Sequence, residues 1–179
     1  MEFQDVIAGR RSIRKYKSDP VEREKILAVL EAGRLAPSWK NLQCWQFIVV
    51  ETPEAKEKVM EAFAEDNPGK KALSSAPVLV VICGDPQASG LQDEKEYYLV
   101  DLGIAFEHVI LAAYNLGLGT CFMGLFKEDI LKKNLNVPEG WRVVGVTPLG
   151  YPDQDPKPRP RKELGEIVFS ETWGQPLLK

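Results

Sequence analysis

The stretch APVLVVICG, residues 76–84, is an almost uninterrupted apolar run near the middle of the chain. Its length and its β-branched residues are typical of a strand that is covered on both faces. We therefore predict a central strand here, with other elements packed on both sides of it. A chain of 179 residues is long enough for one domain with a sizeable core, and we predict a single domain, residues 1–179.

A helix is predicted upstream of this strand, between residues 19 and 37. Asp19 is placed to cap its N-terminus, Pro20 fits its first turn, and Pro37 stops it. Its buried stripe is predicted to consist of Ile26, Leu27 and Leu30. The other upstream elements are a short helix ending near Gly9, the strand WQFIVV at residues 45–50, and a helix beginning at Thr52-Pro53.

The longest predicted helix lies downstream, from about Tyr97 to Leu116, and Gly117 is placed to end it. Apolar residues occupy most of its faces, so we expect it to be buried all round. A further strand is predicted within WRVVGVTPLG, residues 141–150. Helices and strands mix without a strict βαβ alternation, which favours an α+β fold with the strands gathered in one sheet.

Composition and charge argue against several classes of protein. The formal net charge is −3, which argues against a general nucleic-acid binder. No apolar run approaches about 18 residues, and the N-terminus has no apolar signal region, so we expect neither a membrane span nor a signal peptide. Three scattered cysteines indicate a reducing, cytoplasmic setting, and one histidine with no CxxC pair argues against a metal site.

Two basic clusters stand out in this acidic chain: GRRSIRKYK at residues 9–17 and KPRPRK at residues 157–162. Guanidinium forks and a serine hydroxyl match the oxygens of a phosphate, so both clusters could hold one anion. The alternative is that they are solvated basic loops. The usual nucleotide loops are missing: G-x-G-x-x-G does not occur, and GTCFMG at residues 119–124 is not followed by Lys-Ser/Thr.

A polar loop, APSWKNLQCWQF at residues 36–47, follows the first long helix and precedes a strand. Ser38, Asn41 and Gln43 could pair with the edge of a polar heterocycle. The alternative is a turn in which these side chains satisfy their own backbone.

These segments resemble the FMN-dependent nitroreductase family. RRSIRKY, APSWKNLQCWQF, DLGIAFEHVILAAYNLGLGTCFMG and KPRPRKELGEIV follow the order of the family's signatures and together cover nearly the whole chain. The resemblance implies an α+β fold with a mixed central sheet wrapped by helices. It also implies an intertwined homodimer with FMN at the interface.

The resemblance further implies which residues hold the cofactor. Those that match the segments around the FMN phosphate and ribityl chain are Arg10, Arg11, Ser12, Arg14, Arg159 and Arg161. Those that match the loop reaching the flavin from the other subunit are Pro37, Ser38, Trp39 and Asn41, with Gln43 as a further contact. Those that match the turn beside the isoalloxazine ring are Phe122, Met123 and Gly124.

The expected chemistry belongs to the cofactor, because the sequence offers no catalytic side chain and no metal cluster. The resemblance implies ping-pong turnover in which NAD(P)H is followed by a small oxidised acceptor, a nitroaromatic or a quinone. The alternatives are another flavin reaction (flavin reduction, dehalogenation or dehydrogenation) or an FMN-binding module without turnover. An RNA-binding role is disfavoured because aromatic residues do not interleave with the basic clusters as a stacking platform needs.

The sequence departs from the family pattern at Trp39, Lys40, Cys44 and His108. Trp39 is large where smaller residues are frequent, so it is expected to line either the substrate pocket or the dimer seam. Lys70 or Lys71 is expected near the pocket mouth, but the spacing does not decide between them.

Overall fold

The computed structural model describes residues 1–178. Its main sheet has four strands in the order β1–β2–β6–β5, and a two-stranded hairpin stands apart from it. The strands are β1 (Trp45–Val50), β2 (Val78–Gly84), β3 (Leu91–Gln92), β4 (Lys95–Glu96), β5 (Gly119–Thr120) and β6 (Arg142–Gly150). The ladders of the main sheet are antiparallel, and a parallel bridge joins Ser12 to Thr120.

Seven helices surround the sheet in the part of the chain that the structure describes. They are α1 (Phe3–Gly9), α2 (Arg23–Arg34), α3 (Pro53–Met60), α4 (Lys70–Ser75), α5 (Tyr97–Asn115), α6 (Glu128–Asn134) and α7 (Leu164–Ile167). Short 3₁₀ turns occur at Trp39–Asn41 and Pro86–Ala88. This combination of helices and sheet confirms the predicted α+β class.

The predicted central strand is confirmed as β2, which pairs with β1 on one side and β6 on the other. Every residue of β2 is buried. Because side chains alternate between the faces of a strand, β2 contributes to two cores. Leu79 and Val81 pack in the core that includes α3, α4 and α6, while Val80 and Ile82 pack in the core that includes α2 and α5.

The long helix α5 ends as predicted, at a glycine in the left-handed conformation. Gly117 has a φ of 79°, and the amide of Leu118 donates to the carbonyl oxygen of Ala113 at 2.9 Å. This pairing closes the last turn, as a glycine C-terminal cap does. The prediction that α5 is buried all round is wrong, because Leu99 is 45% exposed and Val100 is 52% exposed.

Helix α5 is also long and apolar enough to meet the length and composition criteria for a membrane span. In this fold its Leu102, Phe106 and Val109 are buried in the core shared with α2 and the sheet. A core helix of this kind meets the same criteria, so α5 gives only weak evidence for a membrane.

The predicted start of α2 is wrong by several residues. The helix begins at Arg23 with Glu22 in the capping position, and Asp19 lies outside it. The Glu22 carboxylate instead accepts a hydrogen bond of 2.6 Å from the Tyr151 hydroxyl, a partner distant in sequence.

The predicted buried stripe of α2 is also wrong in part, since Leu27 is 52% exposed. The buried face is formed by Ile26, Val29 and Gly33. A Cβ on Gly33 would lie 2.7 Å from a Val109 methyl carbon, so a glycine here allows α2 to approach α5 closely.

Candidate active site

The first basic segment runs along the edge of the main sheet, directly after α1. The Ile13 amide donates to the Thr120 carbonyl oxygen at 2.8 Å, and the Ile13 side chain is buried. Tyr16 is also buried, and its hydroxyl donates to the Ile13 carbonyl oxygen at 2.6 Å. These inward contacts fix the backbone from which Ser12 and Arg14 extend on the other side.

The second basic segment is brought to the same place by pairing between residues 15–17 and 151–153. The Lys17 amide donates to the Tyr151 carbonyl oxygen, and the Asp153 amide donates to the Lys15 carbonyl oxygen, each at 2.9 Å. The Lys15 ammonium and the Asp153 carboxylate lie 2.9 Å apart. The chain therefore leaves β6 beside the first basic segment, and residues 156–161 continue past it.

The two basic clusters line one cavity of about 690 Å³. Six of its lining residues are cationic, and no carboxylate residue is among those that line it within residues 1–178. The cationic residues are Arg10, Arg11, Arg14, Lys157, Arg159 and Arg161, and the remaining lining residues are Ile7, Ala8, Ser12, Gln154, Pro156 and Pro158. A concave surface with this charge balance favours an anion.

Three of these cations, Arg11, Arg14 and Arg161, have no carboxylate partner among the described residues. The Arg11 guanidinium donates to the carbonyl oxygens of Ala8 and Arg10, at the end of α1. Arg161 donates to carbonyl oxygens of its own segment at 3.3 Å. Within residues 1–178, Arg14 makes no ion pair with a carboxylate.

Arg10 is the cavity residue that has an acidic neighbour, on α5. Its Nε lies 4.0 Å from Glu107 Oε1, the outer limit for an ion pair. Burial raises the pKa of Glu107, and the nearby Arg10 charge opposes that rise. The long separation leaves the Arg10 fork available to a second anion.

The turn at residues 121–124 follows β5 along the same sheet edge. Met123 is buried, and its amide and carbonyl exchange 2.9 Å hydrogen bonds with Val146. Phe122 is 51% exposed and packs edge-on against Phe106, with ring centroids 5.5 Å apart. Within residues 1–178, the amides of Phe122 and Gly124 have no hydrogen-bond acceptor, so they are the donors that this turn offers to a ligand.

The loop at residues 37–43 lies apart from the basic cavity in the single protomer, and none of its residues lines that cavity. Ser38 Oγ accepts a hydrogen bond from the Gln43 amide at 2.9 Å, and the Gln43 side chain donates to the Asn41 carbonyl oxygen at 3.1 Å. Lys40, Asn41 and Gln43 all have positive φ angles, of 47°, 58° and 52°. Such conformations are costly for residues other than glycine and are frequent at functional sites.

Trp39 packs within its own protomer, against the base of the β3–β4 hairpin. Its ring centroid lies 4.5 Å from that of Tyr97, and a Cβ on Gly90 would overlap the Trp39 ring. The large residue that departs from the family pattern is thus in contact with the hairpin.

Lys70 and Lys71 both begin helix α4 and line a surface depression of about 620 Å³, separate from the basic cavity. Lys70 donates to Glu65 at 2.6 Å, whereas Lys71 is exposed. The preceding segment contacts the 121–124 turn region, since the Asn67 side chain donates to the Leu125 carbonyl oxygen at 3.1 Å.

The structure therefore gathers six of the sequence-predicted site residues in one cavity, and all six belong to the two basic clusters. It places the 122–124 turn along the same sheet edge and the 37–43 loop elsewhere in the protomer. Sequence reasoning missed Gln154, which lines the cavity, and Asp101, which accepts a hydrogen bond from the Trp39 amide in the 37–43 loop. Asp101 carried a signal, because it is an acidic residue between Val100 and Leu102 in the mostly apolar helix α5. Within residues 1–178, no group of three or more His, Cys, Asp or Glu residues is arranged to hold a metal ion.

Comparisons with known proteins agree on one family. The sequence profile of the nitroreductase family matches residues 7–151. A putative NADH dehydrogenase/NAD(P)H nitroreductase of Archaeoglobus fulgidus is 35% identical over 158 residues, covering 86% of this chain and 87% of the relative.

Two solved structures extend this similarity to the fold. A nitroreductase family protein from Clostridium novyi has a TM-score of 0.83 at 36% identity and covers 99% of this chain and 97% of its own. An FMN-dependent nitroreductase from Clostridium difficile has a TM-score of 0.83 at 29% identity and covers 95% of this chain and 100% of its own.

Proposed function

Because this chain belongs to the nitroreductase family, we propose that it uses NAD(P)H to reduce nitroaromatic compounds or quinones, with both substrates occupying one site in turn. It is an NAD(P)H-dependent oxidoreductase, and its cofactor is FMN. FMN supplies the hydride chemistry when it is bound. The protein's own residues bind and orient the cofactor, and they set the electrostatics around it.

The observation that carries this proposal is the cavity lined by six cations and by no carboxylate residue within residues 1–178. The residues present fit FMN, because its terminal phosphate is a dianion that matches guanidinium forks and the Ser12 hydroxyl. Arg10, Arg11, Ser12, Arg14, Arg159 and Arg161 would hold that phosphate and the adjoining chain.

The turn after β5 would serve the ring portion of the cofactor. The amides of Phe122 and Gly124 are its available donors, and Met123 fixes the turn through its two hydrogen bonds with Val146. Donors that are held rigidly near developing negative charge stabilise it without reorganisation. The side chains of Phe122 and Met123 carry no ionisable proton and the Cys121 thiol is buried, so solvent would supply the protons of the reduction.

A second copy of the chain would complete the site, in an intertwined homodimer. One face of α5 exposes Leu99 and Val100, and nothing lies within 4 Å of a Cβ placed on Gly103. Exposed apolar side chains on one face of a helix favour a protein interface there. Through it, the Pro37–Gln43 loop of one protomer would reach the basic cavity of the other. We place this dimer in the cytoplasm, acting on small molecules rather than on nucleic acid or membranes.

The test is an anaerobic titration of the purified, FMN-loaded protein. NADH or NADPH is expected to bleach the flavin absorbance, and a nitroaromatic or a quinone is expected to restore it. Bleaching without reoxidation by either acceptor would point to another flavin reaction on this scaffold. A protein that binds FMN but is bleached by neither nucleotide would be a binding module, and the proposed activity would be wrong.

A further inference from the structure

The buried carboxylate of Asp101 is unusual within the apolar helix α5. Its residue is 3% exposed, and within residues 1–178 it makes no ion pair. Three neutral donors compensate it instead: the Trp39 amide at 2.9 Å, the Ser89 hydroxyl at 2.7 Å and the Cys44 thiol at 3.6 Å. Burying a carboxylate without such partners would cost folding free energy. The donors that contact Asp101 therefore indicate which segments it joins.

Two of these donors stand at the ends of one strained stretch. Trp39 and Cys44 flank residues 40–43, which include the left-handed Lys40, Asn41 and Gln43. Strained backbone persists only where the surrounding structure holds it. The Asp101 carboxylate contacts both ends of the stretch and so holds it closed. Burial, and then the Asp101 charge, raise the pKa of Cys44 to about 11, so this thiol stays protonated and able to donate even in mildly alkaline solution.

The third donor connects the same carboxylate to the β3–β4 hairpin. Ser89 precedes Gly90, which lies beneath the Trp39 ring, and the Tyr97 amide donates to the Gly90 carbonyl oxygen at 2.9 Å. The rings of Trp39 and Tyr97 pack against each other beside this point, with their planes tilted by 45°. One carboxylate therefore joins the 37–43 loop to the base of the hairpin.

We propose that Asp101 is a positioning residue that holds the 37–43 loop, with its left-handed Lys40, Asn41 and Gln43, in place and fixes it to the β3–β4 hairpin. It thereby sets how Ser38 and Asn41 are presented to FMN in the partner protomer. The part of this inference that concerns FMN rests on the proposed function. The part that concerns the loop rests on the contacts of Asp101 alone.

The test compares Asp101→Asn with Ser89→Ala and with a control, Asp129→Asn, which removes a charge from an exposed position on α6. In Asp101→Asn, the new side-chain amide keeps an acceptor for the Trp39 amide but places an NH₂ group opposite a hydroxyl or thiol donor. Asp101→Asn should speed amide exchange across residues 39–44 of the FMN-free protein by about tenfold. It should also weaken FMN binding by about tenfold.

Ser89→Ala removes one donor without burying a new polar group, so it should fold and show smaller changes in the same direction. If Asp101→Asn does not fold, Ser89→Ala decides the question. The control should match the wild type in amide exchange and in FMN affinity. The effect of losing the Asp101 contacts would then be distinguished from the effect of losing one negative charge.

Unchanged amide exchange across residues 39–44 in both variants would overturn the proposal that Asp101 holds the loop, while leaving the proposed function untouched. Faster exchange with unchanged FMN affinity would overturn the connection to the cofactor. A wild-type protein that does not bind FMN would overturn the proposed function, and the connection to the cofactor would fall with it.

Discussion

The main-chain amide of Ile13 donates a 2.8 Å hydrogen bond to the carbonyl oxygen of Thr120, which aligns the first basic segment with the edge of the sheet. The Ile13 side chain is buried, and a Cβ on Gly119 would lie 2.8 Å from it. Because side chains alternate along extended backbone, Ser12 and Arg14 face the other way and line the basic cavity.

Removing one cavity arginine should weaken FMN binding. A hydrogen bond to a charged partner contributes about 1.5–3 kcal/mol, so Arg14→Ala or Arg161→Ala should raise the Kd for FMN about tenfold to hundredfold. Flavin fluorescence titration measures this. The matched control is Arg23→Ala, which removes an exposed arginine 3.4 Å from Glu51, outside the cavity. Unchanged affinity in both cavity variants would contradict the phosphate site.

A charge on the open face of α5 should break the proposed dimer and release FMN together. Gly103→Glu meets no atom of its own protomer within 4 Å of the new Cβ, and glutamate is a better helix former than glycine. The protomer should therefore stay folded, while sedimentation equilibrium shows monomers of about half the wild-type mass. Lys58→Glu, on the exposed face of α3, is the control and should remain a yellow dimer. A Gly103→Glu dimer that retains FMN would rule out this interface.

Trp39→Ala should change which acceptors are preferred. The Trp39 ring covers Gly90 and packs on Tyr97, so its loss loosens the hairpin beside the loop. If Trp39 lines the pocket, the ratio of kcat/KM between bulky and small acceptors should change about tenfold, which corresponds to about 1.4 kcal/mol. If it lies in the dimer seam, all acceptors should slow in parallel and the dimer should weaken.

The kinetic series for Trp39 uses nitroaromatics and quinones of graded size. Tyr97→Phe is the control, because it keeps the aromatic contact with Trp39. Dimer mass and FMN content are measured for both variants, so that parallel loss of activity can be assigned to the seam.

Stability should fall in alkaline solution because buried thiols resist ionisation. Burial raises the pKa of Cys83 to about 11 from a usual value of 9.0. Between about pH 9 and pH 11 the unfolded chain loses this proton first, so the free energy of unfolding decreases as the pH rises. Cys83→Ala should reduce the decrease measured by urea unfolding between pH 8 and pH 10 by about 1 kcal/mol.

The control for Cys83→Ala is Ser74→Ala, which alters an exposed residue that does not ionise between pH 8 and pH 10. That variant should keep the full pH dependence of the wild type. Identical pH dependence in Cys83→Ala would show that the thiol is not responsible.

Much of the local structure could be predicted from short-range signals. Thr52 accepts a hydrogen bond from the Ala55 amide at 3.2 Å and caps α3, as the Thr52-Pro53 pair indicates. Gly117 ends α5 for an equally local reason. The start of α2 could not be predicted in this way, because Glu22 is hydrogen-bonded to Tyr151, which follows β6 and is distant in sequence, and Asp19 has no capping role.

The sequence by itself determined the apolar central strand, the long helix and the two clusters of like charge, because each depends on residues adjacent along the chain. It also carried the resemblance from which the family was identified. Only the tertiary structure decided that the clusters share one cavity in a single protomer, since residues 15–17 pair with residues 151–153. It likewise decided that Asp101 joins a loop to a hairpin, because burial and donor geometry depend on packing between segments distant in sequence.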